Sequence, residues 1–312
     1  MSKAPLFRST SLIGLIVVAV LGLALSFAPR SIVDAFPPEL QQAADSAREI
    51  RQQLAGLFSQ DSAPSPVASG QTTPLGTLPD TPGSFSTAKR ILYEEIHGDR
   101  RVTFYCGCSY DRDRDIDLDS CGLEQHAGHT RAERVEAEHI FPASQFGNFR
   151  KCWRQPETFA ACRQSDGDVI SGRSCCERVD PVFEAAHNDL HNLVPANGLV
   201  NGDRSNHNWG MVPRSSDERY GNCGIRIDAS IRRVQPPDAV RGDIARTMLY
   251  MADTYGFRLS NQDRQLYTAW NRQDPPDDWE IERNRRIERV QGVGNRYISD
   301  YAALSGRAGT AM

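Results

Sequence analysis

Glu138 and His139 stand side by side in the run Glu138-His139-Ile140-Phe141-Pro142-Ala143-Ser144-Gln145-Phe146-Gly147. Further along come Asn188-Asp189-Leu190-His191-Asn192 and Asn201-Gly202-Asp203-Arg204-Ser205-Asn206. The first run sets a carboxylate beside an imidazole, and the later ones supply amide oxygens. A Mg²⁺-type ion takes hard oxygen ligands and keeps several waters, so one carboxylate and one amide oxygen suffice as protein ligands when a phosphate supplies another. An imidazole titrating near neutrality is suited to activate a water for attack at phosphorus. Each residue alone is weak support, since a lone acid is usually a surface group and a lone histidine a structural one.

Local elements must hold these groups. Val135 to Ile140 reads as a strand carrying Glu138 and His139 to its end, where Pro142 breaks the ladder because it has no N–H to donate. Neighbours on a strand face opposite ways, so the carboxylate and the imidazole should diverge. Leu190 to Val194 reads as a second short strand, and Leu199 to Asn206 as a helix with Asn201, Arg204 and Ser205 on one face. Gly202 argues mildly against a regular helix interior.

The surrounding chain has 312 residues, 39% hydrophobic and 24% charged, ordinary for a globular protein. A net charge of -4 does not advertise nucleic-acid binding, but such a site needs only a local basic surface. That surface could lie in residues 148–180, which read as irregular, cysteine-rich and basic, with Arg150, Lys151, Arg154, Arg163, Arg173 and Arg178.

Lys3 and Arg8 precede an uncharged apolar run, Leu12 to Ala28, the layout of a secretory signal or a retained signal anchor. Either exports the rest of the chain. All eight cysteines lie beyond this run, between Cys106 and Cys223, which reads as disulfides in an oxidising compartment. Cys106, Cys108, Cys121, His126 and His129 miss the usual zinc spacings. Asp111 to Asp119 alternates aspartates but lacks the glycine and glutamate of a calcium loop, so a solvated loop is expected.

Within Ile32 to Phe58 the apolar spacing from Leu40 onward fits an amphipathic helix, and Ser59 to Ser84 is a Pro/Ser/Thr/Gly-rich linker. The expected organisation is a signal peptide or anchor at 1–30, a helical stalk and linker at 31–84, a globular domain at 85–300 and a loose tail at 301–312. Inside the domain, Ser86 to Ile96 reads as a capped helix and Arg101 to Tyr105 as a short strand. Arg241 to Tyr255, Asn261 to Arg272 and Asp278 to Gln291 read as helices. Arg283, Arg285, Arg286 and Arg289 on the last are expected to form a solvated face, with phosphate contact the lesser alternative.

Taken together and in order, these blocks resemble the bacterial periplasmic and secreted endonuclease I family. The resemblance spans Ser84 to Asn295. It rests on Phe104-Tyr105-Cys106-Gly107-Cys108, Glu138-His139-x-x-Pro142-Ala143-x-Gln145-Phe146-Gly147, Cys152-Trp153, Asp180-Pro181-Val182-Phe183 and Asp189-Leu190-His191-Asn192-Leu193. It continues through Val200-Asn201-Gly202-Asp203-Arg204-Ser205-Asn206, Tyr220-Gly221-x-Cys223, Arg241-Gly242-x-Ile244-Ala245-Arg246-Thr247 and Trp279-Glu280-x-Glu282-Arg283-Asn284.

The resemblance implies an α+β fold with a ββα-metal (His-Me finger) core inside a mostly helical, disulfide-containing domain. It implies His139 as general base and Glu138 and Asn201 as ligands of a single Mg²⁺, for which Mn²⁺ or Ca²⁺ could substitute. It implies Arg173 as the phosphate clamp, with Arg154 and Arg163 as rivals because extra residues stand between Cys152 and Arg173. His191 and Asn192 would brace the hairpin, Arg204 would support the site, and Arg150, Lys151 and Arg154 would contact nucleic acid. The implied activity is endonucleolytic hydrolysis of DNA and RNA with little sequence preference, leaving 5′-phosphates, without an organic cofactor. The implied place is the periplasm or the exterior, with residues 12–28 a candidate inner-membrane anchor. The alternative is a tethered, inactive nucleic-acid-binding module, which would not need Glu138, His139 and Asn201 all intact. The chain departs from the family's pattern in further ways: Cys162 and Cys175 look additional, Ile281 occupies a position where the family has cysteine, and the N-terminal tether is unusual.

Overall fold

In the computed structural model the described residues are 77–213 and 218–307, with scattered positions between 36 and 47. The chain divides into two units, Met1–Gly70 and Gln71–Met312, and the second carries the fold described below. The apolar run 12–28, most of the expected stalk, linker residues 59–76 and residues 308–312 lie outside the described residues. Among those described, no helix is long and apolar enough to cross a membrane.

Ser84 opens the domain by accepting the Thr87 N–H as an N-cap, so that helix α1 runs Phe85–Ile91. It ends in a π-helical turn, Leu92–Ile96, rather than continuing as regular α-helix. The expected strand at Arg101 to Tyr105 reduces to one bridge, Val102 to Ser109. The chain reverses at Gly107, whose φ of 68° is in the left-handed region, and Thr103 N–H reaches Cys108 O at 2.8 Å. The reversal leaves no length for a ladder.

Strand β1 is Val135–His139. Short helices follow: α2 Ala143–Gly147, α3 Lys151–Arg154, α4 Gly172–Val179 and α5 Pro181–Asn188. Strand β2 is Leu193–Asn197, three residues beyond the expected start. Residues 189–192 are instead locked as a turn: Asp189 accepts His191 N–H at 2.8 Å and takes hydrogen bonds from Tyr250, Tyr255 and Gln291. β1 and β2 pair antiparallel, with Glu138 opposite Val194 and His139 opposite Leu193. Helix α6, Gly198–Arg204, leaves β2 at once, capped by the Asn197 side chain.

Strands β3 Asn208–Trp209, β4 Arg226–Asp228 and β5 Arg233–Gln235 make a small sheet in the order β3-β5-β4. Helices α7 Arg241–Tyr255, α8 Asn261–Gln273 and α9 Asp278–Gln291 match the expected apolar periods. Short helices α10 Arg296–Ser299 and α11 Tyr301–Arg307 follow, so the first part of the expected loose tail is helical. The arginines of α9 are not one solvated face. Arg283 is buried and donates to the carbonyls of Leu190 and Leu193, while Arg286 pairs with Asp99. They hold α9 against the turn before β2 and against the α1 region.

The fold is α+β, and its large core is mostly aromatic and aliphatic. Four disulfides link all eight cysteines: Cys106–Cys223, Cys108–Cys121, Cys152–Cys176 and Cys162–Cys175. The two additional cysteines pair with each other, closing the extra segment between α3 and α4.

Candidate active site

The site forms where β1 ends. The alternation along the strand sends Glu136 and Glu138 to the side of α6, and His139 to the other side, beneath α1 and α5. The Pro142 break would leave β1's last carbonyls without ladder partners. Arg204, wholly buried, takes them: it donates to His139 O at 2.8 Å and Ile140 O at 2.6 Å, and its guanidinium lies over the Trp209 ring at 4.4 Å. The same side chain donates to Glu138 Oε1 at 2.8 Å, where Tyr105 OH also donates at 3.0 Å.

Glu138 is therefore a buried carboxylate with one oxygen well supplied with donors. Burial pushes its carboxyl above the usual carboxylate range, while the Arg204 charge and the Tyr105 hydrogen bond pull it back. A cation beside it would favour the ionised form.

His139 is fixed from one side. Its Nε2 lies 2.7 Å from His187 O. A carbonyl only accepts, so Nε2 carries the proton and Nδ1 keeps its lone pair. The ring stacks on Phe85, with centroids 5.3 Å apart, and packs on His187 at 4.7 Å. Burial drives its pKa well below the ordinary histidine value, and the charges of Arg173 and Arg204 add to the effect. A neutral imidazole with a defined tautomer and a bare Nδ1 has the lone pair that a general base needs.

Arg173 sits on the exposed first turn of α4, over the Trp153 ring at 6.0 Å. Its charge depresses protonation of both His139 and His187, which puts it within electrostatic reach of the two imidazoles. Among the described residues it forms no ion pair. Gly172 lets α4 come this close, because a Cβ there would collide with the backbone of Trp153. Arg154 is exposed, and Lys151 Nζ lies 5.8 Å from the Phe159 ring. Arg150, expected to contact nucleic acid, is instead turned inward: it bridges to Asp180 and donates to Phe146 O at 3.0 Å. Arg163 donates to Glu157 O at 2.8 Å within the extra segment.

Asn201 lies on α6 one turn before Arg204, hence on the face that meets Glu138. Its Nδ2 donates to Glu136 Oε2 at 3.0 Å, which uses the amide's donor end and leaves its carbonyl oxygen for a cation. Among the described residues no three His, Cys, Asp or Glu side chains converge to hold a metal. One carboxylate, Glu138, and one amide oxygen, Asn201, would be hard ligands of the kind that fits an ion keeping water and phosphate in its shell. Asn192 accepts Phe141 N–H at 2.7 Å and donates to Phe141 O at 3.1 Å, and His191 Nε2 donates to Val293 O at 3.1 Å. Both are buried: Asn192 ties the end of β1 to the turn before β2, and His191 ties that turn to the segment after α9.

Residues 84–301, more than half of the chain, match the family model described as Endonuclease I. The chain belongs to the endonuclease I family. An extracellular deoxyribonuclease of Aeromonas hydrophila is 40% identical over 240 residues, 75% of this chain and 96% of that protein. A periplasmic deoxyribonuclease of the same organism is 41% identical over 222 residues, 69% of this chain and 85% of that one. Endonuclease-1 of Buchnera aphidicola subsp. Baizongia pistaciae is 36% identical over 219 residues, 69% of this chain and 82% of that protein.

Within this endonuclease I domain, sequence reasoning missed Tyr105 as a partner of Glu138, Phe85 and His187 as the packing around the base, and Glu136 as the partner of Asn201. The Glu136–Glu138 pair was visible as a period of two on a strand. The His187 contact uses a backbone carbonyl, which no residue type announces.

Proposed function

We propose that the chain is an exported, Mg²⁺-dependent endonuclease that hydrolyses DNA, and RNA as well, with little sequence preference and leaves 5′-phosphate ends. The observation that carries this is the His139 tautomer: Nε2 is committed to the His187 carbonyl and Nδ1 is bare, one residue from a buried carboxylate. His139 Nδ1 takes the proton of the attacking water. Arg173 holds the scissile phosphate and stabilises charge on its oxygens. Glu138 and Asn201 hold the ion, with Mn²⁺ or Ca²⁺ as substitutes. When bound, the ion supplies charge neutralisation at phosphorus and assistance to the departing 3′-oxygen. The antiparallel β1–β2 pair followed directly by α6 supports the ββα-metal reading of the core.

The relatives' names support export and a nucleic-acid substrate, two being called deoxyribonucleases, one extracellular and one periplasmic. Four disulfides support an oxidising compartment. Substrate binding should be largely backbone electrostatics and fall steeply with salt. The test is plasmid and RNA cleavage by the oxidised protein with Mg²⁺ against EDTA, with end-labelling of the products. Metal-dependent cutting with 5′-phosphate ends is expected. Binding without cutting, by folded and metal-loaded protein, would leave only a nucleic-acid-binding module.

A further inference from the structure

Asn201 can present either end of its amide to an ion, and the two ends are nearly the same shape. In this fold the choice is made by Glu136. Its Oε2 accepts Asn201 Nδ2 at 3.0 Å and Arg131 Nη2 at 2.6 Å. Its Oε1 accepts Arg131 Nε at 3.0 Å and Arg134 Nη2 at 2.9 Å. Donors surround the carboxylate, so its lone pairs are occupied and its charge is matched by two guanidinium groups. Glu136 is therefore not itself an ion ligand. It fixes the neighbour that is: turning the Asn201 amide over would set its carbonyl oxygen against a carboxylate.

Two glycines make room for this clamp. A Cβ on Gly198 would stand 2.9 Å from Glu136 Oε1 and 2.5 Å from Arg131 O. A Cβ on Gly202 would overlap the Arg131 guanidinium. Both glycines lie in α6, and glycine is a poorer helix former than alanine. Helix formation does not account for them, whereas the seating of Arg131 and Glu136 against the turn bearing Asn201 does.

We infer that Glu136, locked by Arg131 and seated through Gly198 and Gly202, is a positioning residue that fixes Asn201 with its carbonyl oxygen toward the divalent ion. This inference rests on the metal site proposed above. Residues around a ligand commonly alter metal affinity by about 10- to 100-fold when changed.

The test is calorimetric titration of the oxidised full-length protein with Mn²⁺ in the absence of nucleic acid, so that binding is read apart from turnover. Glu136→Gln keeps the shape but places an NH₂ group among donors. It should raise the Kd for Mn²⁺ by about ten-fold or more. Combined with Asn201→Ala it should add nothing to Asn201→Ala alone, because both act through the same oxygen. Wild-type affinity in folded Glu136→Gln protein, or additive effects of the two changes, would overturn the positioning role while leaving the metal site standing. Should Glu136→Gln not fold, Arg131→Gln, at a half-exposed position, is judged by the same two criteria. A wild-type protein that binds no Mn²⁺ overturns the metal site itself, and the clamp's purpose with it.

Discussion

His139 and His187 are joined by a hydrogen bond from an imidazole N–H to a backbone carbonyl, Nε2 to O, at 2.7 Å. The carbonyl comes from the last turn of α5 and the imidazole from the end of β1, so the contact ties the proposed general base to a second element. It fixes the tautomer without any acid, and the base keeps a full lone pair at Nδ1. His139→Ala should therefore lower kcat by about two to four orders of magnitude, the usual range for a lost general base. Plasmid nicking rates measure this, with circular dichroism confirming the fold. A loss under about ten-fold would remove His139 from that role.

The same environment sets the pH dependence. Burial is the largest cause of the lowered His139 pKa, and the positive charge of Arg173 contributes. A lowered pKa means that more acid is needed to protonate the base, so the neutral, active form persists below pH 6.5. The acid limb of kcat/KM should accordingly lie on the acid side of the ordinary histidine value. Arg173→Gln removes one depressing charge and should shift that limb to higher pH, whatever it does to the maximal rate. A shift to lower pH would contradict the electrostatic account.

Much of this was legible before any coordinates. β1 matched its expected span to within a residue, and α7 and α9 matched theirs, because a period of two or of 3.6 is written directly in the apolar pattern. Glu138 and His139 could be set on opposite faces because neighbours on a strand must diverge. What could not be read was set by contacts distant in sequence. β2 starts late because Asp189 is held by Tyr250 and Tyr255 from α7 and by Gln291 from α9. Arg283 looked like solvated charge but is buried, its cost offset by carbonyls that the turn before β2 leaves open. Arg150 looked like a phosphate contact, yet Asp180, thirty positions away in the same basic stretch, takes it.

Arg204, almost wholly buried, is the supporting residue best suited to a stability test. It satisfies Glu138 and two carbonyls at once. Arg204→Met keeps much of the bulk but leaves the buried Glu138 carboxylate without its cation, with only the Tyr105 hydroxyl donating, and takes a donor from His139 O; Ile140 O keeps Trp209 Nε1. Removing one partner of a buried ion pair costs about 3–5 kcal/mol. The urea midpoint should fall accordingly, and divalent-ion binding should change too, since Glu138 would lose its orienting donor. A loss below about 1 kcal/mol, typical of an exposed ion pair, would show that Glu138 finds another partner.

The four disulfides should not contribute equally. Cross-links act largely by restricting the unfolded chain, and the effect grows with the logarithm of the loop closed. Cys162–Cys175 spans 13 residues, whereas Cys106–Cys223 spans 117. The chain-entropy relation gives about 3 kcal/mol for the short loop and about 5 kcal/mol for the long one. Replacing both members of each pair by alanine should therefore lower unfolding stability by about 2 kcal/mol more for Cys106–Cys223 than for Cys162–Cys175. The two also differ in place. Cys106 follows Tyr105, whose hydroxyl holds Glu138, while Cys162–Cys175 closes the extra segment beside Arg173. The Cys106–Cys223 variant should thus lose metal affinity as well as stability, and the Cys162–Cys175 variant should keep its metal affinity. Denaturant midpoints and Mn²⁺ titrations on the two variants separate these effects, and equal losses in both measurements would refute the distinction.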